Sequence, residues 1–214
     1  MDKEISELKA LYELKKGVIR ERLREFRETG RGSDERIFAE LCFCICTPQS
    51  RAKSAWFDAI YPLMNSGGLW TCSKSELMSC LKKSGVRFHR TKANYIILAR
   101  RLFDQKGIKS RIYESENAFE LRDLLVKNVK GLGLKEASHF LRNIGLGEDL
   151  AILDRHILRN LVRLGVIEDM PKSLSRKRYL EIEKNLRRFS ERVKIPMDEL
   201  DLLLWFRETG EVFK

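Results

Sequence analysis

No run of residues in this chain approaches the roughly 20 apolar residues that a membrane-crossing helix needs. The opening Met1-Asp2-Lys3-Glu4 lacks the basic and apolar regions of a signal peptide. Both absences predict a cytoplasmic protein. Cysteine occurs five times, an odd number, with no Cys-x-x-Cys pair, and histidine occurs three times. A structural zinc or iron–sulfur site is not expected from such a set, and no metal or cofactor is predicted. Cys42, Cys44 and Cys46 alternate inside an apolar stretch, which fits reduced, buried thiols better than disulfides. Proline is scarce, at four, and no strand pattern of useful length occurs. Acids are the minority charge: 31 against 42 Lys and Arg, a net +11. That excess favours a polyanionic partner, either nucleic acid or an anionic membrane surface. A hydrophobic content of 43% supports a real core and argues against disorder.

What is present is helical periodicity. Ile5, Leu8, Leu11 and Tyr12 recur at helical spacing, as do Ile19, Leu23 and Phe26, until Gly30-Arg31-Gly32-Ser33 breaks the segment. Ser33 is a predicted N-cap for a helix from about Asp34 to Cys46, apolar on all sides in its second half and therefore buried. Pro48 follows it. Further helices are predicted over 50–64, 75–81, 92–102 and 119–127, with Gly67-Gly68 as a loop. Ala137, Phe140, Leu141 and Ile144 form an apolar face that Gly145 ends. Asp154 can cap a helix carrying Ile157, Leu158, Leu161 and Val162. Residues 172–194 are rich in Lys and Arg. Pro196 fits the first turn of a last helix, which Gly210 ends. The expected fold is all-α, a single unit over 1–214 with two helical lobes and a cleft between them. One lobe covers 34–115; the other joins 1–33 to 116–214 and carries a hairpin over 119–145.

That hairpin holds the chemistry. Helix, Lys130-Gly131-Leu132-Gly133-Leu134, helix is a helix-hairpin-helix pattern. Gly131 and Gly133 permit a tight turn, and the second helix opens with unpaired N–H groups and a positive dipole, a natural phosphate site. Glycines serving turn geometry alone are the plain alternative. Lys135 follows one step into the helix, where it is either a solvated charge or a nucleophile beside the phosphate. Asp154 is either an N-cap or an acid facing that lysine.

The block Val129–Ala137, with Asp154 nineteen positions after Lys135 (154 − 135), resembles the signature of the helix-hairpin-helix DNA glycosylase superfamily. Lys135-Glu136-Ala137-Ser138-His139-Phe140-Leu141-Arg142-Asn143, Ala151–Leu158 and Asp201-Leu202-Leu203-Leu204-Trp205 resemble the archaeal-type 8-oxoguanine DNA glycosylase/AP lyases in particular, over nearly the whole chain. The resemblance implies a bifunctional enzyme acting as a monomer on double-stranded DNA that contains oxidised guanine. A damaged base is turned out of the duplex. The neutral Lys135 amine attacks C1′ and displaces the base, and β-elimination then breaks the strand. Asp154 stabilises positive charge developing on the sugar.

The same resemblance gives roles to further residues. Gln49, in the turn Thr47-Pro48-Gln49-Ser50, is the expected plug for the gap left by the base, or else a plain exposed turn residue. Asparagine is expected there in close archaeal relatives, so this chain departs from them. Phe88, among positive charges including Arg90, stacks on the extruded purine or is a core aromatic at a helix entry. Trp205 and His139 line the base pocket or simply pack. Arg90 and Arg155 are expected on the DNA backbone with Gly131 and Gly133. Lys214, the last residue, would read the base through its terminal carboxylate; a frayed end is the alternative. 8-Oxoguanine carries an N7–H donor where guanine has a lone pair, and a carboxylate only accepts. Two other functions compete. A pyrimidine-damage glycosylase/lyase typically carries a C-terminal four-cysteine cluster, and no cysteine follows Cys80 here. A non-catalytic helix-hairpin-helix DNA-binding module would need neither Lys135 nor Asp154.

Overall fold

The computed structural model describes residues 2–104, 107–115 and 117–214. Among these residues the regular structure is entirely helical. Helix α1 (Asp2–Arg31) is the longest. It buries Leu8, Tyr12, Ile19, Leu23 and Phe26 along one stripe. Helix α2 (Asp34–Cys46) starts at Ser33, whose hydroxyl accepts the Arg36 N–H, and every residue from Ile37 to Cys46 is buried. A π-helix (Ser54–Ile60) runs directly into α3 (Tyr61–Asn65). Helices α4 (Gly68–Thr71), α5 (Lys74–Lys83), α6 (His89–Phe103) and α7 (Ile108–Ile112) complete this half of the chain. Then come the hairpin helices α8 (Ala118–Asn128) and α9 (Leu134–Asn143), followed by α10 (Arg155–Arg163), α11 (Arg176–Val193) and α12 (Met197–Thr209). Gly67-Gly68 was expected as a loop. Gly67, at φ +71°, makes the turn, and Gly68 already begins α4.

Two apolar cores form. One gathers α2, the π-helix and α3–α9 around Phe38, Phe43, Ile96 and Phe140. The other packs α1 against α10, α11 and α12 around Ile19, Leu161, Ile182 and Leu203. The sequence grouping of 116–145 with the second lobe differs from this arrangement. The apolar faces of α8 and α9 enter the first core, and α9 packs on both α2 and α1. Gly30 makes that junction possible: a Cβ there would stand 2.1 Å from the Ile144 carbonyl oxygen. Buried ion pairs also span the cores. Arg122 of α8 binds Glu183 of α11 at 2.6 Å, and Arg142 of α9 binds Asp201 of α12 at 2.7 Å. Removing one partner of such a pair typically costs about 3–5 kcal/mol.

The chain after Gly210 crosses from the second core to the first. Val212 packs on the second, whereas Phe213 lies against Phe43 and Phe57. Lys214 inserts its ammonium over the Trp56 ring, 3.0 Å from the centroid, and pairs with the buried Glu40.

Candidate active site

Gly131 is required at the hairpin for two reasons. Its φ is +93°, and a Cβ would meet Tyr95 at 2.5 Å. Gly133 sits at φ −96°, open to other residues by backbone angle. Its N–H donates to the Glu136 carboxylate at 3.1 Å, so the protein's own acid occupies the anion position at the start of α9. The other Glu136 oxygen lies 3.0 Å from Lys135 Nζ. In the free protein the nucleophile candidate is therefore half of an ion pair.

Helical spacing turns Lys135, His139 and Arg142 to one side of α9 while Ala137, Phe140 and Leu141 enter the core. Those three side chains join Asp154, Asp201, Trp205 and Lys214 around one cleft of about 570 Å³, its open mouth included. Asp154 caps α10: its Oδ1 accepts the Ile157 N–H at 2.8 Å. The plain cap role and a place in the cleft wall thus coexist in one carboxylate. Trp205 stands half-buried with its ring edge-on to His156, centroids 5.0 Å apart. His139 is buried edge-on against Phe43, and its Nε2 has no hydrogen-bond partner among the described residues. Burial holds its imidazole well below the ordinary value. The charges of Arg142, Lys135 and Lys214 push the same way, and a contact with the Lys214 backbone opposes them. A neutral ring with an unsatisfied nitrogen in a cleft wall is suited to a polar ligand.

Two charged cleft residues escaped the sequence reading of the site. Asp201 is buried. Desolvation raises its carboxyl to about 7 against the pull of Arg142, with Asp154 and Asp198 adding repulsion. The available signal was an acid inside the apolar run Leu200–Leu204. Arg142, seven positions after Lys135, continues its helix face. The buried Glu40 and Lys92 carried the same signal of charge in apolar surroundings.

Gln49, Phe88, Arg90 and Arg155 do not line this cleft and are all exposed. Gln49 and Phe88 share an uncommon backbone, φ +55° and +56°.

An all-helical fold whose hairpin presents a lysine to a cleft shared with an aspartate is that of the helix-hairpin-helix DNA glycosylases. Within that class, the model of the 8-oxoguanine DNA glycosylase family matches residues 19–195, and the chain belongs to this family. It is 45% identical over 213 residues to an 8-oxoguanine DNA glycosylase/AP lyase of Fusobacterium nucleatum, covering 98% of this chain and 97% of that one. The enzyme of the same name from Methanocaldococcus jannaschii is 45% identical over 211 residues, covering 97% and 99%. The crystal structure of the M. jannaschii glycosylase/lyase with a 15mer DNA containing 8-oxoguanine superposes with a TM-score of 0.86 at 44% identity, over 97% of this chain and 99% of that one. The Thermotoga maritima 8-oxoguanine DNA glycosylase gives 0.88 at 37% identity over the full length of both.

Proposed function

We infer that this protein is a DNA-repair glycosylase and AP lyase that removes 8-oxoguanine from duplex DNA and then cuts the strand. The observation that carries this reading is the shared cleft: Lys135 and Asp154 line it together with the aromatic and polar groups a purine needs. Relatives are bacterial and archaeal, where DNA lies in the cytoplasm, and action there as a monomer completes the reading.

The Lys135 amine, freed from Glu136, attacks C1′ of the damaged nucleotide. The C1′–N9 bond breaks, and the base leaves with the bonding electrons and gains a proton. The sugar opens to an imine on Lys135. Loss of the C2′ proton then expels the 3′ phosphate by breaking C3′–O3′. Asp154 faces the positive charge that builds on the sugar during the first step. Beside the base, the Trp205 face stacks and the His139 Nε2 supplies a hydrogen bond. A carboxyl oxygen of Asp201 accepts from the N1–H and N2–H donors shared by guanine and its oxidised form. The terminal carboxylate of Lys214 reads the N7–H that only the lesion has; guanine would present a lone pair to it. Glu40 and Trp56, which grip the Lys214 side chain, support this role by fixing the chain end. The exposed Gln49 and Phe88 suit the duplex outside the cleft. Gln49 fills the gap left by the base, and Phe88 stacks on a base at the mouth. Gly131, Gly133, Arg90 and Arg155 engage the backbone.

Borohydride trapping on an 8-oxoguanine duplex tests the chemistry. A covalent adduct forms with the wild type and disappears in Lys135→Gln. A wild type that binds the duplex but yields no adduct would leave only a DNA-binding module.

A further inference from the structure

We propose that Lys92 is a positioning residue that fixes the turns carrying Gln49 and Phe88, and thereby sets how well the enzyme holds open a base pair. The proposal rests on the reading above that these two side chains meet the duplex. Lys92 is 4% exposed in the first half of α6. Its Nζ donates to the Cys46 carbonyl (2.9 Å), the Pro48 carbonyl (2.7 Å) and the Ser50 hydroxyl (3.1 Å). An ammonium has three N–H donors, so the set is complete without a carboxylate. Cys46 is the last residue of α2, so its carbonyl lies at the negative end of that helix, where a cation is favoured. The other two acceptors flank Gln49. The Ser50 hydroxyl also accepts the Arg87 N–H at 3.0 Å, which ties the residue before Phe88 to the same point. One lysine therefore joins both exposed turns.

Those turns need holding. Gln49 and Phe88 adopt left-handed backbone at φ +55° and +56°, which non-glycine residues seldom keep without support. Released, each would relax towards negative φ and swing its side chain away. A buried lysine is a costly way to pack α6 on α2, where leucine or methionine would fill the same space. Burial pulls its amine below the ordinary lysine range, which accords with that cost. Three acceptors, two of them bracketing one exposed residue, account for the charge; packing does not.

The test compares substrates that differ only in the need to open a pair. Single-turnover excision is measured on 8-oxoguanine in a fully paired duplex and opposite an abasic gap, with AP-lyase cleavage of a preformed abasic site as a third substrate. Lys92→Met should lower excision from the paired duplex by about 10–100-fold and leave the other two within about threefold, because unpairing is the step affected. Ser50→Ala, which keeps the lysine, should show a smaller loss on the same substrate alone. Lys92→Arg, which retains donors, should recover part of it. Gln49→Ala and Phe88→Ala should show the same selectivity, and adding Lys92→Met to either should change little. A uniform loss on all substrates by Lys92→Met and Ser50→Ala would make the lysine merely structural and overturn the proposal. So would normal paired-duplex activity in both variants while Gln49→Ala and Phe88→Ala fail; the duplex-facing reading would then survive. If Gln49→Ala and Phe88→Ala act normally on every substrate, that reading fails first and takes the proposal with it.

Discussion

Glu40→Gln separates holding the fold from holding the chain end. Glu40 uses one carboxylate oxygen for Lys214 and accepts the Asn143 side-chain amide on the other at 3.0 Å. Glutamine keeps the shape and can still accept from Asn143, but it strips the Lys214 ammonium of its anion at a site where that side chain is 10% exposed. An unpaired charge so placed would cost about 3–5 kcal/mol if it had to stay. It does not have to stay. Residues 211–214 have no helical hydrogen bonds and can peel away into water. Peeling sacrifices the partial burial of Phe213, about 1–2 kcal/mol, and the contact over Trp56, about 1–2 kcal/mol. It recovers roughly 1 kcal/mol of backbone freedom for each residue released. Four residues recover about as much as those contacts lose, so the net loss should stay within about 1 kcal/mol, a fall in Tm of at most roughly 4 °C for a chain of this size. Carboxypeptidase should trim the native variant while sparing the wild type. Preference for the lesion over guanine should fall with cleavage of a preformed abasic site intact. A loss above about 4 kcal/mol with a chain end still resistant to trimming would refute this reasoning, because the pair would then hold the fold and not the strap.

Three further outcomes are expected. The carboxyl of Asp201 is raised from 3.8 to about 7 by burial, so the folded state holds a proton there that the unfolded state has lost. Wild-type stability from this group falls as pH rises between about 4 and 7, and Asp201→Asn, nearly isosteric with the protonated acid, should gain on the wild type by several degrees in Tm across that window; a wild type that gains on the variant would contradict it. Burial pushes the thiols of Cys42 and Cys44 well above the ordinary value and that of Cys46 up to about 12, so native alkylation followed by mass spectrometry should label Cys72 and Cys80 first. Gly131→Ala meets both a left-handed backbone and the Tyr95 ring, so binding to undamaged duplex should weaken by tenfold or more in a fluorescence titration, whereas Gly133→Ala should be milder.

Local signals made much of this molecule readable in advance. Ser33 announced α2 because a hydroxyl before an apolar run meets the free N–H groups of a first turn, and Asp154 announced α10 in the same way. The step from Lys135 to His139 is one helical turn, so their common face followed from spacing alone. Long-range partners were not legible. Glu40 meets Lys214, Arg142 meets Asp201 and Lys92 meets Pro48 only after the cores close, and no local rule links such positions. The exposure of Phe88 was hidden for another reason: a left-handed backbone is announced by glycine, and here an aromatic residue adopts it. The short helix α7 was missed because five residues are too few for periodicity to show.

The wide winding of Ser54–Ile60 has a consequence for how this fold can vary. Its closing hydrogen bond runs from the Tyr61 N–H back five positions to the Trp56 carbonyl, so the stretch carries one residue more than ordinary winding would. That surplus sets the register at which the indole comes to lie beneath the final ammonium. Deleting a single residue here would regularise the hydrogen bonding and leave the helical content almost untouched. It would also rotate the two ends of the segment by about 100° relative to one another. Variants shortened at this point should fold well by circular dichroism and yet lose the seat for their last residue.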